Sequence, residues 1–300
     1  MLIVTPSEML QRGLLLAHHS AERQARVNEN ERLARFKAEF GKTPVVLVNL
    51  WNDLQQTKIE DAKIVDATDQ DLVKFLWTFA WLKSYETESK LVGRTGWCDR
   101  TVRKHTKEMV KKIHALMPSK IFWPEEWNNP SKDTPIFLMS VDGTHCPINE
   151  PTKGHPFSKN PKYYSHKFNR SGLSYEVGFS IFTSQVVWIN GPFPAGKGDD
   201  DIFAEGLKHQ IPVGKKVIAD GAYKRKDLPM ISVKNNADKA HVALFKRRVL
   251  SRHESFFAKM KVFDILTTEF RHGEALHKVV FEAVAVICQY EIEVVPLFDA

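Results

Sequence analysis

Two short apolar runs in this chain end in the same way. Val141-Asp142-Gly143 closes the run at 136–139, and Ala219-Asp220-Gly221 closes Val217-Ile218. Short apolar runs bounded by turn residues read as buried strands. An Asp at the end of such a strand is held rigidly with its oxygens toward a crevice, and the Gly after it lets the chain turn away. A third acid, Glu254, follows Asp220 by 34 residues, in a segment with helical spacing. Two strand-end Asp residues and an acidic helix can bring three hard oxygen ligands together. Such a set suits Mg²⁺ or Mn²⁺, and a pair of these ions roughly 3.5–4 Å apart drives in-line phosphodiester chemistry.

Each of these residues also has an ordinary reading. Asp-Gly is a common turn dipeptide. Ser251-x-x-Glu254 fits a capping box, and Arg247, Arg248, Arg252 and Lys259 offer Glu254 surface ion pairs. Asp199-Asp200-Asp201 can bind metal, but three acids opening a helix also suit its dipole. His145, just after the first Asp-Gly, fits a hydrogen-bonding group better than a ligand, and His253 and His272 have no partner at ligand spacing.

With 43% apolar and 26% charged residues, the 300-residue chain is expected to be soluble and globular, with room for one large domain or two ordinary ones. Its apolar stretches at 72–82 and 279–288 are short and interrupted by Lys74 and Glu282, so no membrane span is expected. The opening MLIVTPSEML lacks a basic secretory n-region, and Cys98, Cys146 and Cys288 form no CxxC. An intracellular protein without a disulfide framework or cysteine zinc site is the expectation, nuclear if the source is eukaryotic. The net charge is +7, and residues 90–120 alone carry nine Lys or Arg against Asp99 and Glu108. A stretch this basic attracts a polyanion such as DNA, although a solvated helix face would look the same.

Residues 7–40 read as helix, broken by Gly41-Lys42-Thr43-Pro44, with a second helix at 45–54. Thr68 and Asp71 form a capping box ahead of Leu72, Phe75, Leu76, Phe79 and Leu82. Within 88–117, Gly96-Trp97-Cys98-Asp99 separates two helical segments. Val102, Thr106, Met109, Val110, Ile113, Leu116 and Met117 form the apolar stripe of the second, with Arg100, Arg103, Lys104, Lys107 and Lys111 largely off it. The pattern Leu91…Gly96…Thr101-Val102 resembles a helix-turn-helix. Prolines 118, 124, 130 and 135 mark a boundary, giving a helical region at 1–133 and a second domain at 134–300. Beyond it the reading is α/β: strands at 136–142, 163–168, 174–182, 185–190 and 216–220, then helices at 201–209, 237–262 and 273–289. In the 174–182 strand Tyr175, Val177, Phe179 and Ile181 alternate with Glu176, Gly178 and Ser180.

The order strand–VDGTH, three-stranded meander, GPFPAGKGDDD, strand–ADGAY and helix RHESFFAKMK resembles the DDE superfamily transposases and endonucleases of RNase H-like fold, nearest the Harbinger and IS5-like group. The resemblance covers roughly 134–300 and implies an RNase H-like mixed sheet with flanking helices: the first three strands antiparallel, the fourth parallel to the first. It implies a catalytic and metal-binding triad of Asp142, Asp220 and Glu254, with Asp142 bridging two Mg²⁺ or Mn²⁺ ions. Lys261, seven residues after Glu254, matches a DNA-contacting Lys of related bacterial enzymes. One of Asp199–Asp201 resembles an Asp of the family's Gly-Pro…Asp loop, a support for substrate binding. The family's Arg four residues before the Glu is Leu250 here; Arg248 or Arg252 would have to replace it. The implied function is a metal-dependent DNA endonuclease and strand transferase of a transposon, acting on transposon ends and target DNA. A homo-oligomer and an accessory DNA-binding protein are possible partners. A domesticated, non-transposing DNA-binding regulator is the alternative, and a nuclease or RNase H that never transposes is a third reading. Arg100, Arg103, Lys104 and Lys107 are the expected DNA-binding residues of the helix-turn-helix.

Overall fold

Side-chain caps decide where the N-terminal helices start. The computed structural model describes residues 1–149, 160–235 and 237–298. Thr5 and Glu8 form a reciprocal capping box at α1 (Pro6–Leu16), Ser20 caps α2 (Ala21–Ala25), and Asn28 caps α3 (Glu29–Phe40). The single helix expected over 7–40 is therefore three. The Ser20 and Asn28 side chains bond backbone amides that a continuous helix would use, and His18 takes a left-handed conformation between the first two. Gly41, at φ +78°, ends α3 where a side chain would strike the Phe263 ring. Then come α4 (Pro44–Gln56), α5 (Asp69–Ser84), α6 (Glu88–Thr95), α7 (Asp99–Ala115) and the short α8 (Met117–Lys120). The Thr68–Asp71 capping box is present, and α5 buries Leu72, Phe75, Leu76, Phe79 and Leu82. Left-handed Gly96 closes α6, and α7 turns Val102, Thr106, Met109, Val110 and Ile113 inward.

The sheet contains β1 (Phe137–Pro147), β2 (Tyr164–Ser165), β3 (Arg170–Ser180), β4 (Val186–Pro194), β5 (Lys216–Ile218) and β6 (Ile231–Ser232). Its order is β2-β3-β1-β5-β6, with β4 also on β3. β1 and β4 run antiparallel to β3, whereas β5 is parallel to both β1 and β6. The protein is thus mixed α/β with a mixed sheet, and the expected fourth-to-first parallel pairing is present. The strand expected at 163–168 shrinks to two residues, since 161–163 form a 3-10 turn. α9 (Asp199–Glu205) packs on one face through Ile202 and Phe203, which are buried. α10 (Ala240–Met260) covers the other, and α11 (Glu274–Val294) follows.

By packing, one compact unit is Met1–Pro118 with Met260–Thr267 and Val279–Val294; the other is Ser119–Lys259 with Thr268–Lys278 and Val295–Ala300. This division differs from a single cut at 133/134, because the apolar residues 279–294 are core of the helical unit. There Glu282 meets His114 Nε2 at 2.7 Å, Tyr290 donates to Asp53 at 2.6 Å, and Lys42 pairs with Glu291 at 2.5 Å. Among the described residues no helix is long and apolar enough to cross a membrane.

Candidate active site

Asp142 is not at a strand end. β1 continues five residues past it, and Asp142 stands opposite Val177 in the ladder. Asp-Gly here is not a turn, and Gly143 serves a different need. A Cβ on Gly143 would lie 2.6 Å from Oδ1 of Asp199, so the missing side chain leaves room for that carboxylate beside the strand. Asp220 does follow the expectation: β5 ends at Ile218, and Asp220 Oδ1 accepts from the Ala222 amide at 2.9 Å, turning the chain into a 3-10 turn.

Strand alternation gives the faces. Met139, Val141, Val217 and Ala219 pack with Phe203 and Tyr223 on the α9 side. Ile218 packs with Val249 and Leu250 of α10, and Ser140 Oγ lies 2.9 Å from His253 Nε2 on the same helix. Two residues farther along β1, Asp142 shares the parity of Ser140 and so belongs to the α10 side. His253 is fully buried and its pKa falls to about 3, chiefly through desolvation, so it is a neutral tie between α10 and β1. Arg252, 2% exposed, donates to the carbonyls of Ile181, at 3.1 Å, and Thr183. Arg252 is thereby occupied in fastening α10, whereas Arg248 stays exposed.

The structure brings Asp142 and Asp220 together electrostatically. Burial pushes Asp142 up to about 6, and Asp220 and Asp199 push it the same way against the Gly143 N–H and Lys167. Asp199 is raised too, first by burial and then by Asp220, with Lys167 opposing. Glu254 is exposed on α10, mid-helix, so the cap reading at Ser251 does not hold; Ser251 Oγ donates to the Arg247 carbonyl instead. Among the described residues no ion pair or hydrogen bond holds the Glu254 carboxylate. Lys261 lies one residue beyond the end of α10 and is exposed. Among the described residues no group of three or more His, Cys, Asp and Glu side chains is arranged to hold a metal ion.

Glu176 escaped the sequence reading. The alternation in β3 suggested a polar outer face, but both faces of Ser171–Ser180 are buried. Glu176 pairs with Gly143 in the ladder, is 1% exposed, and accepts from Trp188 Nε1 at 2.8 Å through one oxygen. Among the described residues its other oxygen has no partner, and neither does the wholly buried Tyr223 hydroxyl. Desolvation pushes Glu176 up to about 8. The unfolded chain ionises near 4.5 while the folded chain keeps the proton, so this group's stabilising contribution is lost as pH rises from 4.5 toward 8. Between pH 5 and pH 8 in EDTA, Glu176→Gln is expected to lose less melting temperature than the parent, by roughly 5 °C. Parallel melting curves would contradict that ionisation.

The three acids opening α9 divide their work. Arg225 donates to Asp201 at 2.7 Å and lies 3.6 Å from Asp200, while Asp199 turns to Gly143. Arg225 follows Asp220 by five residues, so its ion pairs fasten the start of α9 to the Asp220 turn. On α7, Arg103 is held by Glu88, and Arg100 and Lys104 are exposed. Of the basic residues Lys153, Lys159, Lys162, Lys167 and Arg170, expected to form a solvated edge, the last three are exposed and Lys153 and Lys159 lie outside the described residues.

Residues 141–289 match a protein-family model described as DDE superfamily endonuclease. No curated protein and no solved structure matches the chain.

Proposed function

Residues 141–289 make this chain a member of the DDE superfamily endonucleases, and on that premise we propose that it is a divalent-metal-dependent DNA transposase. Asp142, Asp220 and Glu254 are its catalytic carboxylates. The observation that carries the reading is that Asp142 on β1 and Asp220, two residues past the end of the parallel strand β5, come near enough for Asp220 to oppose ionisation of Asp142. Clustered carboxylates cost stability unless a cation is to be bound. The donors are hard oxygens, the ligand type that Mg²⁺ and Mn²⁺ take. Asp142, Asp220 and Glu254 would hold Mg²⁺ or Mn²⁺, which supplies Lewis-acid stabilisation of the attacking and leaving oxygens. The chain's own part is positioning. The Ser140–His253 bond and the Arg252 clasp hold the helix bearing Glu254 on the face to which Asp142 belongs.

The three antiparallel strands β1, β3 and β4, flanked by the parallel β5 and β6, support an RNase H-like sheet. The Gly96 turn and the exposed cations of α7 support a helix-turn-helix that reads DNA. Strand transfer at transposon ends, and a nuclear site of action in a eukaryote, belong to the same proposal. Metal-dependent nicking of supercoiled plasmid tests it: cleavage with Mg²⁺ or Mn²⁺ and none in EDTA is the expected result. DNA binding without nicking would favour the regulator reading instead. Neutralising Arg100, Lys104 and Lys107 together is expected to flatten the salt dependence of binding, by about 0.9 in log–log slope for each phosphate that is no longer neutralised. An unchanged slope in a salt titration would leave these residues as a solvated face.

A further inference from the structure

We propose that the hairpin at 164–170 is a platform for a single DNA strand, with Phe168 stacking on an unpaired base and Lys167 and Arg170 taking the adjoining phosphates. The inference rests on the endonuclease reading above and adds to it the form of DNA that is held near Asp142. The hairpin joins β2 to β3 and turns through a left-handed Asn169, at φ +52°. It is fastened to β1 three residues past Asp142. There His145 Nδ1 lies 3.0 Å from Ser165 Oγ, and the His145 and Phe168 rings meet at 5.3 Å. Three residues of strand span about 10 Å, so the hairpin borders the Asp142 end of the sheet. The Lys167 ammonium opposes the raised pKa of both Asp142 and Asp199, which agrees with that placement.

At the tip Phe168 is 41% exposed, and Lys167 Nζ stands 5.6 Å from its ring centroid. Residues 160–175 include Lys162, Lys167 and Arg170 but no Asp or Glu. Among the described residues none of these three cations is in an ion pair. The loop after β4 repeats the pairing of ring and cation beside the hairpin. The Gly196 N–H donates to the Lys162 carbonyl at 2.9 Å, and Lys197 Nζ lies 4.6 Å from the Phe193 ring. A solvated edge accounts for the cations but gives no role to a ring held in water among them. Aromatic rings interleaved with cations suit a single strand, whose bases offer π-faces and whose backbone offers charge. A duplex keeps those faces inside its own stack.

The test is fluorescence anisotropy of a labelled oligothymidylate, and of a duplex of the same length, with the full-length protein in EDTA. Phe168→Ala is expected to weaken single-strand binding by roughly tenfold, while duplex binding changes by less than about twofold. Phe168→Tyr should restore most of the affinity and Phe168→Leu should not, a distinction that a packing role would not make. Lys167→Gln combined with Arg170→Gln should flatten the single-strand salt dependence by about 0.7 in log–log slope for each phosphate lost. Both cations are exposed, so this double variant reports even where Phe168→Ala folds poorly. Parental single-strand affinity in Phe168→Ala, an equal loss on the duplex, or an unchanged slope in the double variant overturns the platform. Metal-dependent nicking by the parent beside any of those results leaves the endonuclease reading standing. Phe168-dependent binding of the single strand without nicking by the parent keeps the platform and sinks that reading.

Discussion

Asp142→Asn and Asp220→Asn are each expected to cut metal-dependent nicking by about a thousandfold or more, the rate equivalent of several kcal/mol of lost charge stabilisation. Neither should lower the melting temperature of the metal-free protein. Asp142 sits where burial and two neighbouring acids oppose its ionisation, so an amide of the same shape removes a cost at pH 8. Asn at 220 keeps the oxygen that accepts from Ala222 and so keeps the turn. An Asp that merely shaped a turn would behave the other way, losing stability and sparing activity. Thermal melts and nicking rates on the same two preparations separate the cases. A lowered melting point with retained nicking would remove the basis for the endonuclease assignment.

Arg252→Ala should produce the largest loss of stability among single changes near the site, about 3 kcal/mol. It strips two carbonyls of a charged donor and opens a void under α10. Arg252→Lys should recover only part, because one ammonium cannot reproduce the fork that reaches Ile181 and Thr183 together. Urea unfolding of both variants measures this. A midpoint unchanged in Arg252→Ala would mean that other interactions hold α10 in place.

Both predictions depend on features of unequal visibility in the sequence. The Thr68–Asp71 capping box, the parallel pairing of the Asp142 and Asp220 strands and the Gly96 break were legible, because each is written in neighbouring residues or in a short apolar run. The course of β1 past Asp142 was not. Asp-Gly is the same dipeptide whether Gly supplies a turn or clears space for a distant carboxylate, and only the approach of Asp199 tells these apart. The three acids 199–201 are likewise indistinguishable until Arg225 engages two of them. Glu176 looked like the wet side of an amphipathic strand because alternation reports polarity and is silent about what covers the second face. The long helix expected over 7–40 gives way for a local reason: its Glu, Arg, Ala and Leu content favours helix throughout, whereas Ser20 and Asn28 act as caps and divide it.

The make-up of the helical unit bears on the order in which the chain matures. Met1–Pro118 leaves the ribosome well before the segment Val279–Val294, which completes its core with Val280, Phe281, Val284 and Ile287. Until then the apolar surface of α5 and its neighbours lacks its cover, and a nascent chain in that condition is open to aggregation. The basic helix α7 therefore reaches its finished setting only after the strands bearing Asp142 and Asp220 have been synthesised. A chain interrupted before residue 279 would lack the close of its own helical unit, so truncated products should be cleared by the cell and not persist as free fragments.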